Sequence, residues 1–209
     1  MEFLTIAQIN THHCKAAMAQ LELSSHDNKV DIALIQEPYC YNGEPRCNPP
    51  EYSVFYTSNR NPRALILIKK DIAHNFIFLS QYSNQDNTIV ATATNPPFTL
   101  PTPNPPTTPL KMTSTIQTFI DNMKPKNLVW GMDSNSKHKL WHSPKTDTRG
   151  RILADFLSTH GLLTINENDD PTYSDPTGES WIDVTAASIG VVHKNHKLES
   201  KRRNHTIQP

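Results

Sequence analysis

Glycine is scarce, with 6 residues in a chain of 209, so most tight turns must be built from Pro, Asn, Asp and Ser. No glycine-rich phosphate loop, no Gly-x-Ser-x-Gly elbow and no His-Glu-x-x-His pair occurs, which removes three common catalytic frameworks. Cysteine is sparse and odd in number. Cys14, Cys40 and Cys47 argue against a disulfide framework and for a reducing, intracellular setting. Set beside His12 and His13, they match no closed tetrahedral zinc spacing. Net charge is absent too, since Lys+Arg and Asp+Glu both total 20. That balance takes away the simplest argument for a nucleic-acid binder and leaves room for a local basic face. The longest apolar runs, such as residues 64–68, fall far short of the ~20 needed to cross a bilayer. No charged stretch followed by an apolar one opens the chain, so neither a membrane span nor a secretory leader is expected.

What the chain has in excess is proline: 17 residues, about 8% where ~5% is usual. Seven of them fall in residues 96–109, which predicts an exposed loop over 95–110, because proline removes backbone donors from helix and strand alike. Around that loop, alternating and β-branched runs predict strands at 3–9, 31–36, 52–57, 64–69, 75–79, 88–94, 127–131, 162–165, 172–173 and 181–184. The second of these, DIALIQ, is apolar almost throughout, as a strand buried on both faces would be. Helical spacing predicts helices at 12–23, 113–123 (Ile116, Phe119, Ile120, Met123) and 150–160 (Ile152, Leu153, Phe156, Leu157). Most neighbouring strands are too close for helical crossovers. The expected fold is therefore α/β: a four-layered sandwich of two mixed, mostly antiparallel sheets flanked by helices, in a single domain over 1–209. A basic tail at 192–209 carries His193, Lys194, His196, Lys197, Lys201, Arg202, Arg203 and His205 against one Glu199. It reads as a solvated charge run or as a phosphate-facing segment.

Polar groups recur at the ends of the expected strands. Asn10 follows FLTIAQI, Glu37 follows DIALIQ, Asp133 and Asn135 follow NLVWGM, and Asp183 interrupts WIDV. Any one of them could be an ordinary turn residue. Together, hard oxygen donors at several strand ends suit Mg2+, which takes carboxylates plus water and substrate phosphate. Asp183 is flanked by Trp181, Ile182 and Val184, so a partly buried charge there needs a partner. A histidine or backbone hydrogen bonds would each serve.

The motifs QIN (ending at Asn10), IQEPY (around Glu37), PRALILIKKDI (62–72), GMDSNSKHKLWHS (131–143) and ESWIDVTAAS (179–188) follow one another in an order that resembles a family. That family is the endonuclease domain of non-LTR (LINE-type) retrotransposons, in the exonuclease–endonuclease–phosphatase superfamily, related to apurinic/apyrimidinic endonucleases. The resemblance implies a DNA endonuclease that hydrolyses a phosphodiester with Mg2+ (Mn2+ as the alternative ion) and leaves a 3′-hydroxyl primer for a reverse transcriptase absent from this chain. Glu37 would be the main metal carboxylate, with Asn10 and Asn204 in the metal shell. Asp133 would orient or deprotonate water, and Asn135 would hold the scissile phosphate, with Ser180 as a further phosphate-side residue and His138 in a structural or phosphate-side role. Asp183 would pair with His205, the general acid/base. The partner would be duplex DNA, with no membrane involved, and the place of action the nucleus.

Some positions depart from the family's pattern. Asn204 stands where the resemblance expects Asp, and His12 where it expects Asn or Asp, each a lost hard-oxygen ligand. Thr94-Asn95 precede Pro96-Pro97 where a phosphate-contacting Tyr is expected. The chain also stops four residues after His205, short of the further strand expected there. These departures support an alternative in which the chain is a decayed retroelement fragment that keeps the fold and at most weak nucleic-acid binding. A phospholipid or inositol phosphate substrate on the same fold is opposed by the retrotransposon-type strings.

Overall fold

The structure is a computed structural model that describes residues 4–27, 30–57, 60–92, 98–103, 109–166, 171–175 and 178–192. In chain order it runs β1 (Ile6–Asn10), α1 (Lys15–Asp27), β2 (Ile32–Gln36), β3 (Cys40–Tyr41), β4 (Glu44–Pro45), β5 (Tyr52–Phe55), β6 (Ala64–Lys69), α2 (Lys70–Ala73), β7 (Phe76–Phe78), β8 (Asn87–Thr92) and β9 (Phe98–Pro103). It continues with α3 (Pro109–Met123), β10 (Asn127–Asp133), α4 (Thr148–Thr159), β11 (Leu162–Thr164), β12 (Tyr173–Asp175), β13 (Gly178–Ser180), β14 (Asp183–Ser188) and α5 (Ile189–Val192).

Two sheets result. One has the order β1-β2-β6-β5 and the other β11-β14-β10-β9-β8-β7, with β3-β4 and β12-β13 as separate hairpins. In the first only β1–β2 is parallel, in the second only β9–β10. Side-chain alternation then builds the layers. On β2, Ile32 and Leu34 face the second sheet and pack in one cluster with Val90, Leu100 and Val129. Their neighbours Ala33 and Ile35 face α1, meeting Met18 and Leu21. On the far side Leu128, Trp130 and Met132 of β10 meet Ile116 and Phe119 of α3 and Leu153 and Leu157 of α4. The four expected layers are present: helix, sheet, sheet, helices. Each fully buried Leu or Ile in these layers contributes about 1.5–3 kcal/mol.

Several expectations on elements are corrected. The Pro-rich loop contains β9, which pairs with β8 from Ala91↔Thr99 to Asn87↔Pro103. Successive N–H groups point to alternate edges of a strand, so prolines at 101 and 103 deprive only one edge of donors. The parallel pairing with β10 accordingly stops at Leu128↔Thr99, just before Pro101. Helix α1 begins at Lys15 rather than at 12, because His12 and His13 hold left-handed backbone (φ 47 and 54) that a helix cannot include. Met123 lies at the helix end and is 39% exposed instead of on the buried stripe. The last long strand starts at Asp183 rather than at 181, the strand expected at 172–173 appears as β12 (Tyr173–Asp175), and β3, β4 and β13, only two or three residues long, were not foreseen. The tail from residue 193, with Asn204 and His205, lies outside the described residues, as do the Pro-rich positions 93–97 and 104–108.

The two sheets are pinned together beneath one end of the sandwich. Buried Gln36 donates through Nε2 to the Gly131 carbonyl (3.2 Å), and Gln8 to the Met132 carbonyl (3.0 Å). Gly131 is required for this approach. A Cβ there would stand 2.7 Å from Leu34 Cδ1 and 2.8 Å from Gln8 Oε1.

Candidate active site

Strand direction gathers the site. β1 and β2 are parallel and end together, so Asn10 lies opposite Gln36 and Glu37 follows at the next residue. β10 ends at the same rim, and its antiparallel pairing with β14 sets Asp133 directly across from Asp183. Asn10 Nδ2 donates to Asp133 Oδ2 across the gap between the sheets (2.8 Å). The Asn135 N–H donates to Asp133 Oδ1 (3.2 Å). Two of these residues have strained backbone, Glu37 at φ 47 and Asn135 at φ 43, and strain of that kind gathers at functional sites. Glu37 is held in place by its neighbours: its N–H donates to the Arg63 carbonyl (2.8 Å), and its carbonyl accepts from the His13 N–H (2.8 Å) and the Thr11 hydroxyl (2.6 Å).

The carboxylates differ in surroundings. Glu37 lies between the Arg63 guanidinium, with Nη2 at 3.5 Å from Oε1, and the His12 imidazole, with Nδ1 at 3.5 Å from Oε2. Asp133 is 3% exposed, and burial pushes its carboxyl up to about 6. The Glu37 charge adds to the rise, while the Asn135 N–H, the Asn10 amide and Arg63 oppose it. Asp183 is pushed higher, to about 8, by burial first and then by the charges of Asp133 and Glu37, against a lowering contact from Thr172. Its Oδ1 is shut off from solvent and has no hydrogen-bond partner among the described residues. The Asp183 backbone is fixed from both sides, its N–H donating to Thr172 Oγ1 (3.1 Å) and its carbonyl accepting from Asn166 Nδ2 (2.9 Å).

The remaining sequence candidates fall outside this cluster. Ser180 closes β13, and its carbonyl accepts from the same Thr172 hydroxyl (3.4 Å). His138 caps the short turn Lys139–Trp141: its Nδ1 accepts from the Leu140 N–H (3.1 Å) and its ring lies 5.2 Å from that of buried Trp141. This gives His138 a structural task, one of the two roles, structural or phosphate-side, that the resemblance implied for it. The loop it sits in is pinned by Ser134, whose N–H and Oγ both donate to the Ile182 carbonyl (2.7 Å each). It also fits tightly against α4, where a Cβ on Gly150 would lie 2.0 Å from the Lys137 carbonyl oxygen.

Arg63 stands inside the motif at 62–72, and the resemblance attached no role to it. The signal lay in the strand pattern. An antiparallel β2–β6 pair with Gln36 opposite Ala64 sets the residue after one strand against the residue before the other, and those are Glu37 and Arg63.

No group of three or more His, Cys, Asp and Glu side chains arranged to hold a metal ion occurs among the described residues. The donor set is nevertheless one that a divalent cation suits. Burial and neighbouring negative charge, that of Glu37 included, raise the proton affinity of Asp133 and Asp183, and an oxygen-loving cation of the Mg2+ kind would relieve that repulsion.

Two face-to-face mixed sheets with helices outside, and carboxylates and amides collected at their shared rim, define the endonuclease–exonuclease–phosphatase fold. The chain belongs to the endonuclease–reverse transcriptase family, whose profile matches residues 76–206. Among solved structures it is similar to the endonuclease domain of TRAS1, a telomere-specific non-LTR retrotransposon, at 28% identity over 91% of this chain and 88% of that one, with a TM-score of 0.78. An AP endonuclease from Archaeoglobus fulgidus (15% identity, 91% and 89% covered, TM-score 0.63) has the same fold. So does the 3′-5′ exonuclease NExo from Neisseria meningitidis (13% identity, 88% and 87% covered, TM-score 0.60). A sequence comparison with curated proteins gives no match. The chain is a nuclease of the non-LTR retrotransposon type by family and fold. No helix among the described residues is long and apolar enough to cross a membrane.

Proposed function

We propose that the chain nicks one strand of duplex DNA in a Mg2+-dependent reaction and leaves a 3′-hydroxyl from which a reverse transcriptase of the parent element primes synthesis. Its place of work is then the nucleus. The observation that carries this reading is Asp133: a buried carboxylate lifted to about 6, oriented through Oδ1 by Asn135 and through Oδ2 by Asn10, in electrostatic contact with Glu37. A base with a pKa near the working pH takes a proton from water and still spends much of its time unprotonated. Asp133 therefore accepts the proton of the attacking water, and its two fixed oxygens aim it. Asn135, next to Asp133 on the rim, offers its side-chain amide to the phosphate.

Glu37 with Asn10 would hold Mg2+, or Mn2+ in its place. The ion, when bound, supplies positive charge to the phosphoryl oxygens. Asp183 has an oxygen without a hydrogen-bond partner among the described residues, and a cationic partner would suit it, the role that His205 fills in the resemblance. DNA is gripped through phosphates by Lys and Arg, with the deformability of the target step adding selectivity, so binding weakens steeply with salt.

The test is conversion of supercoiled plasmid to open circles by the purified chain with Mg2+, followed by primer extension from the nick. Conversion that disappears in Glu37→Ala and His205→Ala, with extendable ends, supports the reading. Equal background in all three leaves a fold without chemistry. Such decay is the second reading, favoured by His12 occupying one side of Glu37. Asn204→Asp raises activity or ion affinity on the first reading.

A further inference from the structure

Arg63 does more than cover one side of Glu37. Its Nη2 lies 3.5 Å from Glu37 Oε1 and its Nη1 3.2 Å from Asp86 Oδ1, so one guanidinium is shared between two carboxylates. Its backbone is fixed separately: the carbonyl accepts from the Glu37 N–H, and the N–H donates to the Gln85 carbonyl (2.8 Å each). The side chain can therefore change partner without disturbing the strained turn at Glu37, which main-chain bonds hold. It also has somewhere to turn, since Arg63 lines an open pocket of about 360 Å3 beside Tyr39, Asn61 and Gln85.

We propose that Arg63 is a positioning residue that stands in for the divalent cation at Glu37 and is handed to Asp86 when the ion binds. The proposal rests on the reading of Glu37 as the ion-holding carboxylate. In the ion-free chain the guanidinium neutralises Glu37 and keeps it turned to the rim. An arriving divalent ion competes for Oε1 and is repelled by the nearby positive charge. Asp86 decides the balance, because a guanidinium drawn toward Asp86 is drawn away from Glu37. Removing Arg63 and removing the charge of Asp86 must therefore shift ion affinity in opposite directions. A purely structural role for the pair would lower affinity in both variants or in neither.

Calorimetry with Mg2+, and the paramagnetic resonance of Mn2+, on the full chain without DNA read this directly. Arg63→Ala is expected to tighten Mn2+ binding on the order of fivefold, and Asp86→Asn to weaken it by roughly twofold to fivefold, as expected for partly exposed charges. Arg63→Lys, which keeps the charge and loses the fork, should fall between wild type and Arg63→Ala. Unchanged or weaker binding in Arg63→Ala, or tighter binding in Asp86→Asn, overturns the proposal. If Arg63→Ala fails to fold, Asp86→Asn decides alone by the sign of its shift. Glu37→Gln separates the two levels of the argument. Ion binding that survives Glu37→Gln, or that wild type lacks, overturns the reading of the site together with this inference. Binding lost in Glu37→Gln but indifferent to Arg63 and Asp86 overturns this inference alone.

Discussion

The half of the site carried by the four-stranded sheet is open and charge-balanced, whereas the half carried by the six-stranded sheet is buried and acidic. Glu37 has His12 and Arg63 on its two oxygens and keeps a fifth of its side chain in solvent. Asp133 and Asp183 face each other across β10 and β14, and burial drives both upward in pKa. The first half can exchange one cation for another at low cost, because water screens the change. The second cannot, so its carboxylates are tuned by hydrogen bonds and by the proton itself. On the proposed function, binding of an ion and handling of a proton fall to different layers of one sandwich.

The sharpest way to break this comparison is Asp133→Asn. Loss of the base should lower nicking by about 10²–10⁴ while leaving Mn2+ affinity within a few-fold of wild type, as measured by single-turnover cleavage and calorimetry. An equal collapse of ion affinity would put Asp133 in the metal's half. Next in size is the join between the halves. Gly131→Ala drives a methyl into Leu34 and Gln8 and should cost about 1–3 kcal/mol in urea unfolding.

Asp183→Asn sharpens the acidic half in the ion-free chain. A carboxyl whose folded pKa, about 8, exceeds its unfolded value binds more protons when folded, so stability falls as pH rises from about 4 to about 8. The neutral variant should match wild type near pH 4 and exceed it at pH 8.5 in melting temperature. No gap at pH 8.5 would mean that a cationic side chain, the role proposed for His205, already compensates Asp183 without any metal ion. The smallest effect belongs to the support loop. Asp147 caps α4 through Oδ1 to the Gly150 N–H (2.6 Å), and Asp147→Ala should lose about 1 kcal/mol without moving the pH profile.

The sequence made the layers legible because their strands are long and strongly patterned. DIALIQ reveals itself as a strand buried on both faces, which is what β2 is, and ALILIK reveals itself as the strand β6. Asn10, Glu37, Asp133 and Asp183 were legible as strand-end groups, and their meeting follows once strand direction is known. The partners that tune them were not. Arg63, Asp86, Thr172 and Asn166 lie on strand starts or connections, and each reaches its carboxylate or its backbone through pairings of distant segments. β9 was hidden for a different reason. Proline density signals a loop, yet prolines at every second position silence one edge and leave the other competent.

That silenced edge has a mechanical consequence. Beyond Leu128, β10 has no ladder with β9, and the Gly131 and Met132 carbonyls are caught by Gln36 and Gln8 from the opposite sheet. The stretch leading to Asp133 is thus held in its own layer by β14 alone and moored on the other side across the interior. Any tilt of one layer against the other, whether from a bent helix of DNA or from a swapped side chain far from the rim, is felt by the acid at its tip as a change of aim.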